Sequence, residues 1–582
     1  SRVWTPKVTS ETRFAYNQAD LERVDGQYAA NQIPTVAGAG LPSSSAELFT
    51  RKGHTISFEQ HFSQTRGRHA LKYGGLHRTR VSRRSGAEVP IYTFSNLDSI
   101  LANQPSSAAF KFLNKEYELR QWVMGFFVQD DVRVTPKFMA NLGLRWDFSS
   151  VPKERDGRFF NRDGMFGPYL DPDSPFQSHF NMFSPRVGFA YSLNNKTVLR
   201  AGAGVFFIPF NLTAGPAGQI RNSLTEPRTA SLSALQARTL GVRYPASNQS
   251  VLPLIQASEI DGSHAIDPNI EQAYSMQWTF GIQRQLSESL VWDVSYVGNG
   301  ARKLVYVPTV NRADRITGLR ANEKFTEFRY YSSADNSSYN SLQTTLKKRF
   351  SRSFQFNTAY TWASNLSYFQ SNLDCCGEVE NPQELDDLRS NHGPTPYMVR
   401  HRFTTDFLYQ LPAGKGWNRA ARHILGGYEV SGVFTASTGT PLLVYQSGSG
   451  VGARPDIAPG FTHETAVLEG AAMQRPDGQY QYLLREAFVQ IPIISRSGRS
   501  ARPGNLGRRS IFGPGGWGLD LSLSKSIFVR EQHRLQLRVD LFNALNHTTF
   551  SGVQTDVRSN KFGQITGVAP GRVARLIVRY EF

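Results

Sequence analysis

Along most of this chain apolar residues recur at every second position, in long runs that come in pairs. From Met139 to Phe148, the residues Ala140, Leu142, Leu144, Trp146 and Phe148 fall on one side, and Asn141, Gly143, Arg145 and Asp147 on the other. From His533 to Phe542, Leu535, Leu537, Val539 and Leu541 oppose Arg534, Gln536, Arg538 and Asp540. Lys196 to Phe207 sets Leu199, Ala201, Ala203, Val205 and Phe207 against Lys196, Arg200, Gly202 and Gly204. Successive side chains of a strand point to opposite faces, so each run is a strand with one greasy and one polar side. The last run follows the same rule: Ala574, Leu576, Val578, Tyr580 and the final Phe582 alternate with Val573, Arg575, Ile577, Arg579 and Glu581.

The connections between runs alternate in length. Of seven pairs, six are joined by brief turns, for example Arg66-Gly-Arg68, Thr135-Pro-Lys137, Asn194-Asn195 and Ser351-Arg352, and one by a longer Pro412-to-Arg422 connection. Between pairs lie long polar stretches, at 85–118, 149–182, 208–271, 363–399 and 437–514. With a strand at Val8 to Leu21 and the terminal run, this predicts 16 antiparallel strands with every connection between pairs at one end. That asymmetry is the pattern of a transmembrane antiparallel β-barrel with short periplasmic turns and long extracellular loops. A sandwich or propeller does not sort its loops this way. A polar inner face implies a lumen too wide to be filled by apolar side chains.

Composition agrees. No stretch approaches 18 uninterrupted apolar residues, so a helical membrane protein is excluded, whereas barrel strands need only a few lipid-facing residues each. The 39 Phe, 23 Tyr and 8 Trp suit aromatic girdles at two membrane interfaces. The alternative is an aromatic-rich soluble β-protein that binds carbohydrate or serves a structural role. Cys375 and Cys376 are the only cysteines and lie in a polar stretch, so the fold is not disulfide-stapled. A net charge of +18 is one footprint of nucleic-acid binding, but the basic residues alternate along strands and spread over loops instead of forming one patch. No Gly-x-Ser-x-Gly elbow, P-loop, His-Glu-x-x-His or Cys-x-x-Cys occurs, so the reading is of a non-enzyme needing no cofactor and no metal. The glycine-rich Ser447-Gly-Ser-Gly-Val-Gly452 has no following helix and reads as a flexible loop.

Several stretches resemble TonB-dependent outer-membrane receptors. These are Gly125-Phe-Phe-Val-Gln-Asp-Asp-Val-Arg-Val-Thr-Pro-Lys137 with Asn141-Leu-Gly-Leu-Arg-Trp146, Lys196-Thr-Val-Leu-Arg-Ala-Gly-Ala-Gly-Val-Phe-Phe207, Tyr339-Asn-Ser-Leu-Gln343 with Lys347-Lys-Arg-Phe350, and Asp540-Leu-Phe-Asn-Ala-Leu-Asn-His547. They are most similar to the Oar-like subfamily, which carries a carboxypeptidase-regulatory-like N-terminal domain. The resemblance implies a 22-stranded barrel, a plug in its lumen, a TonB-contacting box and uptake of a large or scarce substrate. Neither plug nor box is found in residues 1–582, and Arg2-Val-Trp-Thr-Pro-Lys7 repeats the strand end at Arg133-Val-Thr-Pro-Lys137. The chain is therefore expected to be one domain, the C-terminal portion of a larger barrel. A complete, porin-like passive channel of about 16 strands is the alternative.

Candidate site residues follow from position. Arg145, Arg200, Arg538, Arg575 and Arg579 are expected on the lumen face, where they pair with plug acids or line a path for an anionic substrate. Arg78, Arg80, Arg83 and Arg84, and the arginines between Arg496 and Arg509, are expected at the outer rim against lipopolysaccharide phosphates, because guanidinium pairs well with phosphate. Asp130-Asp131 reads as a polar cluster inside the barrel, and the acidic 374–387 stretch as a solvated loop. Tyr580 and Phe582 are the terminal signal for barrel-assembly machinery. The expected partners are the TonB complex through a missing N-terminal region, outer-membrane lipid and lipopolysaccharide, the assembly machinery and an unknown substrate.

Overall fold

The computed structural model describes residues 1–582 except 24–34, 39–46, 89–90, 113–116, 158, 160, 210–227, 247, 256–264, 326, 370–379, 413–417, 419–420, 422–423, 469–472, 475–477 and 531–532. Cys375 and Cys376 lie outside the described residues.

Sixteen long strands form one antiparallel sheet in chain order. They are β1 Val8–Arg23, β2 Glu47–Arg66, β3 His69–Glu88, β4 Tyr117–Thr135, β5 Phe138–Ser149, β6 Met182–Asn194, β7 Thr197–Phe207 and β8 Tyr274–Gln285. They continue as β9 Leu290–Tyr306, β10 Phe328–Ser351, β11 Phe354–Ser367, β12 His401–Gln410, β13 Tyr428–Ser437, β14 Gly516–Arg530, β15 His533–Phe542 and β16 Val573–Glu581. This is the number the sequence pattern predicts. A short strand, Arg2–Thr5, pairs with the start of β1 across a tight turn, as the repeated Thr-Pro-Lys motif suggests.

Register locks the two faces. Leu142 lies opposite Val187, and Leu144 opposite Val128 and Pro185. Leu537 lies opposite Val578, and Val539 opposite Leu576. Residues opposed in an antiparallel pair share a face, and a slip of one residue would invert every side chain. The apolar face is bare: Phe14, Phe126, Leu142, Val187 and Leu576 are all strongly exposed. In water such a continuous greasy surface is untenable; in a bilayer it is the solvated side. Aromatic residues gather near both ends of the strands. Phe138 meets Tyr191, and Phe354 meets Tyr409, at the short-turn end. Trp122, Phe148 and Phe180 stack toward the long-connection end.

The long connections are not the open polar loops expected from sequence. Four apolar clusters lie in them and in the strand ends they cover. One is built on Phe159, Phe176, Ile266, Tyr331 and Phe369, another on Val444, Leu483, Phe488, Leu506 and Phe562. A third holds a small sheet of Thr35–Gly38, Ile91–Phe94, Ser107–Phe112 and Arg228–Ser233. Their apolar residues are spaced irregularly among Gly, Pro and polar residues, so no period reveals them, yet together they remove Phe159 and Leu483 from solvent completely. Burial of that kind is worth about 1.5–3 kcal/mol per large side chain. Among the described residues no helix is long and apolar enough to cross a membrane.

Candidate functional site

The inner face carries charge in a repeating local arrangement. Arg145 grips Asp147, two residues on along β5, through Nε and Nη2 at 2.7–3.0 Å. Arg538 does the same to Asp540 at 2.6 Å, and Arg579 to Glu581 at 3.0 Å. Residues i and i+2 of a strand share a face, so an Arg-x-Asp or Arg-x-Glu step neutralises itself. That step is legible in the sequence as opposite charges two residues apart. Arg575 lies opposite Asp540, and Arg200 opposite Gly281 and Ala190. All five predicted arginines therefore share the polar face.

The rim arginines divide. Arg78 and Arg80 lie opposite Val123 and Gln121, on the polar face, and Arg78 bonds Glu59 at 2.7 Å. They face the lumen instead of lipid. Arg83 lies on the opposite face and pairs with Glu118, which also holds Arg120 at 2.5 Å and Arg155 at 3.8 Å. Arg84 falls in the strand opposite Tyr117. The paired aspartates also separate. Asp131 turns inward to Asn141 at 2.7 Å, whereas Asp130 sits on the apolar face and meets His69 Nδ1 at 2.6 Å. Adjacent residues of a strand cannot share a face, which corrects the reading of both as one interior cluster.

Beyond the strands the connections are tied by buried charge. Arg508 Nε donates to Glu380 Oε2 at 2.7 Å, and Arg509 binds the other oxygen. Arg315 pairs with Glu384, and Arg502 with Asp456. Residues 374–379 of the acidic stretch lie outside the described residues; of the rest, Glu380 and Glu384 meet basic loops while Asp386 and Asp387 are exposed, and Arg508 is too deeply buried to touch lipopolysaccharide. Arg312 donates to the carbonyls of Thr309 and Pro382, and burial pulls its guanidinium down to about 10. Asp335 is close by. Its turn residue Ser351 is 16 positions away, which at about 3.3 Å per residue and a tilt of about 45° is about 37 Å, beyond a band about 25 Å tall. There Asp335 Oδ1 accepts the backbone N–H of Asn336, Tyr368 and Phe369 at 2.8–3.2 Å. Burial nevertheless pushes its carboxyl up to about 7.

Next to this network is a cavity of about 300 Å³, walled by Glu380, Asn391, Arg454, Arg508 and the turn through Gly450 and Gly452. The glycine-rich stretch is therefore a wall and not a free loop. At Gly452 (φ +77°) an added Cβ would sit 2.4 Å from the Asn381 carbonyl oxygen. Tyr580 donates to or accepts from His533 Nδ1 at 2.6 Å, and Phe582 projects fully into the surroundings.

The architecture is similar to that of two solved transporters. The outer membrane transporter YddB from Escherichia coli matches with a TM-score of 0.55 at 10% identity, over 99% of this chain and 61% of that one. Pseudomonas aeruginosa FpvA, solved with heterologous pyoverdines, matches with a TM-score of 0.52 at 10% identity, over 100% of this chain and 55% of that one. The chain thus spans less than two thirds of either. No curated protein sequence matches it. The outer membrane beta barrel domain family matches residues 1–577, nearly the whole sheet and its caps. With the two-faced sheet and its exposed apolar band, this settles the assignment: the chain belongs to the outer membrane beta barrel domain family, and its place is the outer membrane.

Proposed function

We propose that this barrel is the membrane-spanning part of an uptake receptor of the TonB-dependent, Oar-like type. It brings a large or scarce substrate across the outer membrane with energy delivered from the inner membrane, and it performs no bond chemistry itself. One observation carries the reading: among the described residues no pairing joins β16 to β1 or to Arg2–Thr5. Both edges of the sheet are bare, and unpaired backbone groups are untenable in hydrocarbon. In this reading further strands close the wall and a plug fills the polar lumen. The partial coverage of YddB and FpvA supports that.

The capped connections capture substrate, because among the described residues they combine packed cores, charge and cavities at one end of the barrel. Arg145, Arg538 and Arg579, already neutralised in their own strands, shape the lumen; Arg200 and Arg575 remain the arginines placed to meet plug acids or an anionic substrate. Arg83 and Arg120 share one carboxylate, Glu118, while Arg155 pairs more closely with Asp156, so Arg83 with Arg120 is the rim group suited to lipopolysaccharide phosphate. Tyr580 and Phe582 serve the assembly machinery.

The test is the native polypeptide. Extracted from its membrane it is expected to be longer than 582 residues at its N-terminal side and to show no open-channel conductance in a planar bilayer. A native chain of this length that conducts as an open pore would overturn the receptor reading in favour of a passive channel.

A further inference from the structure

The cavity among the long connections has an electrostatic oddity. Arg454 is only 4% exposed, yet among the described residues no carboxylate forms an ion pair with it. Its Nη1 donates to Asn391 Oδ1 at 2.7 Å and its Nη2 to the Ser390 carbonyl at 3.2 Å, while Nε has no hydrogen-bond partner. Burial and the nearby Arg508 charge pull its guanidinium down to about 10, still fully cationic at neutral pH. Glu380, the one acid at the wall among the described residues, is already shared by Arg508 and Arg509. Asp335, the other acid that acts on Arg508, is pushed up to about 7. Among the described residues, the guanidiniums of Arg454, Arg508 and Arg509 therefore gather around two acids, Glu380 and Asp335. A buried, uncompensated cation is among the costliest groups a fold can hold, and it marks a place where an anion would be stabilised.

The cavity's size and walls narrow the anion. About 300 Å³ is the room of about ten waters at about 30 Å³ each, enough for a monosaccharide-sized body. Leu443 and Val451 give it an apolar side, while Ser447 and Gln446 give it a polar one. With Nε unpartnered and only two of the five guanidinium N–H groups of Arg454 used, the group offers a planar fork that matches the two oxygens of a carboxylate. The turn at Gly450 and Gly452 closes the wall as no bulkier residue would allow.

We propose that this cavity binds a small organic carboxylate of sugar-acid size, its carboxylate accepting from Arg454 Nε. The proposal deepens the receptor reading and rests on the long connections being the capture surface. The probe is D-glucuronate, titrated calorimetrically into the full chain in detergent, with D-glucose and inorganic phosphate as comparators. Saturable one-to-one binding of glucuronate is expected, at least about tenfold tighter than that of glucose or phosphate. Arg454→Lys and the cavity-filling Val451→Phe, which leaves Arg454 and its partners in place, are each expected to weaken it about tenfold or more. Absence of saturable glucuronate binding to the unaltered chain overturns the proposal, as do equal binding of glucose or phosphate and undiminished binding by a folded Val451→Phe variant. TonB-dependent uptake by cells separates the two readings. Binding without uptake leaves the site standing and the receptor reading fallen; uptake without binding does the reverse.

Discussion

Arg508 and Glu380, 128 residues apart, form an ion pair whose side chains are 1% and 4% exposed. One comes from the connection before β14, the other from that after β11, so the pair bolts two long loops together above the sheet. Removing one partner of a buried pair strands the other charge and costs about 3–5 kcal/mol, whereas an exposed pair is worth about 0–1 kcal/mol. Arg508→Ala is therefore expected to open the loops to trypsin while the strands keep their resistance to heat in detergent. Arg502→Ala, at the largely exposed partner of Asp456, is expected to change digestion little. Equal digestion of the two variants would count against the pair as the bolt.

Asp335 makes cap stability pH-dependent. Its carboxyl is raised from 3.8 in the unfolded chain to about 7 in the folded one. An acid with a raised folded value holds its proton more tightly when folded, so it costs nothing below about pH 4. The penalty grows as pH rises to about 7 and stays constant above, at about 4 kcal/mol at most. All three backbone N–H groups go to Oδ1 alone, an oxygen that an amide also offers. Asp335→Asn is expected to be neutral at pH 4 and stabilising at pH 8, read by thermal unfolding of the loop cores. Destabilisation at pH 8 would show that the charged form is the one the fold favours.

Adjacent residues of β8 test the assignment of faces. Phe280 sits opposite Ala201 and Tyr296, on the lipid side, and Thr279 opposite Gly202 and Val297, on the lumen side. Phe280→Arg is expected to cost about 2–4 kcal/mol in folding into lipid vesicles, and Thr279→Arg less than about 1 kcal/mol. A reversed order would mean the faces are inverted.

Two glycines with similar positive φ separate backbone strain from crowding. Gly460 (φ +87°) has nothing within 4 Å of an added Cβ, whereas Gly452 (φ +77°) meets Asn381 and Pro382 carbonyls. Gly460→Ala is expected to pay only the left-handed penalty, about 1–2 kcal/mol. Gly452→Ala adds a collision and is expected to lower the loop melting temperature further. Calorimetry of the two variants decides it, and equal shifts would remove the glycine-rich turn as a tight wall.

The strands and their faces were legible because their signal is local. Leu142 and Asn141 take opposite sides wherever the strand lies, and the length of a connection tells which end it occupies except at 411–427, which is long but lies at the short-turn end. Parity alone puts Arg145, Arg200, Arg538, Arg575 and Arg579 on the polar face. Arg78 and Arg80 were misassigned, because they were placed by distance from the turn without counting which face each occupied. Asp130 escaped for the same reason.

What the sequence determined by itself was the sheet: its sixteen strands, its two faces, its sorted turns and its membrane. Each of those follows from a period of two and a connection length, properties of neighbouring residues. Only the tertiary structure decided what the long connections do. Glu380 became a buried counter-ion, Ser447 to Gly452 a wall, and Arg454 a cation without a carboxylate, because their partners lie tens to more than a hundred residues away. Packing between distant, aperiodic segments is set by three-dimensional complementarity, which leaves no repeat along the chain to read.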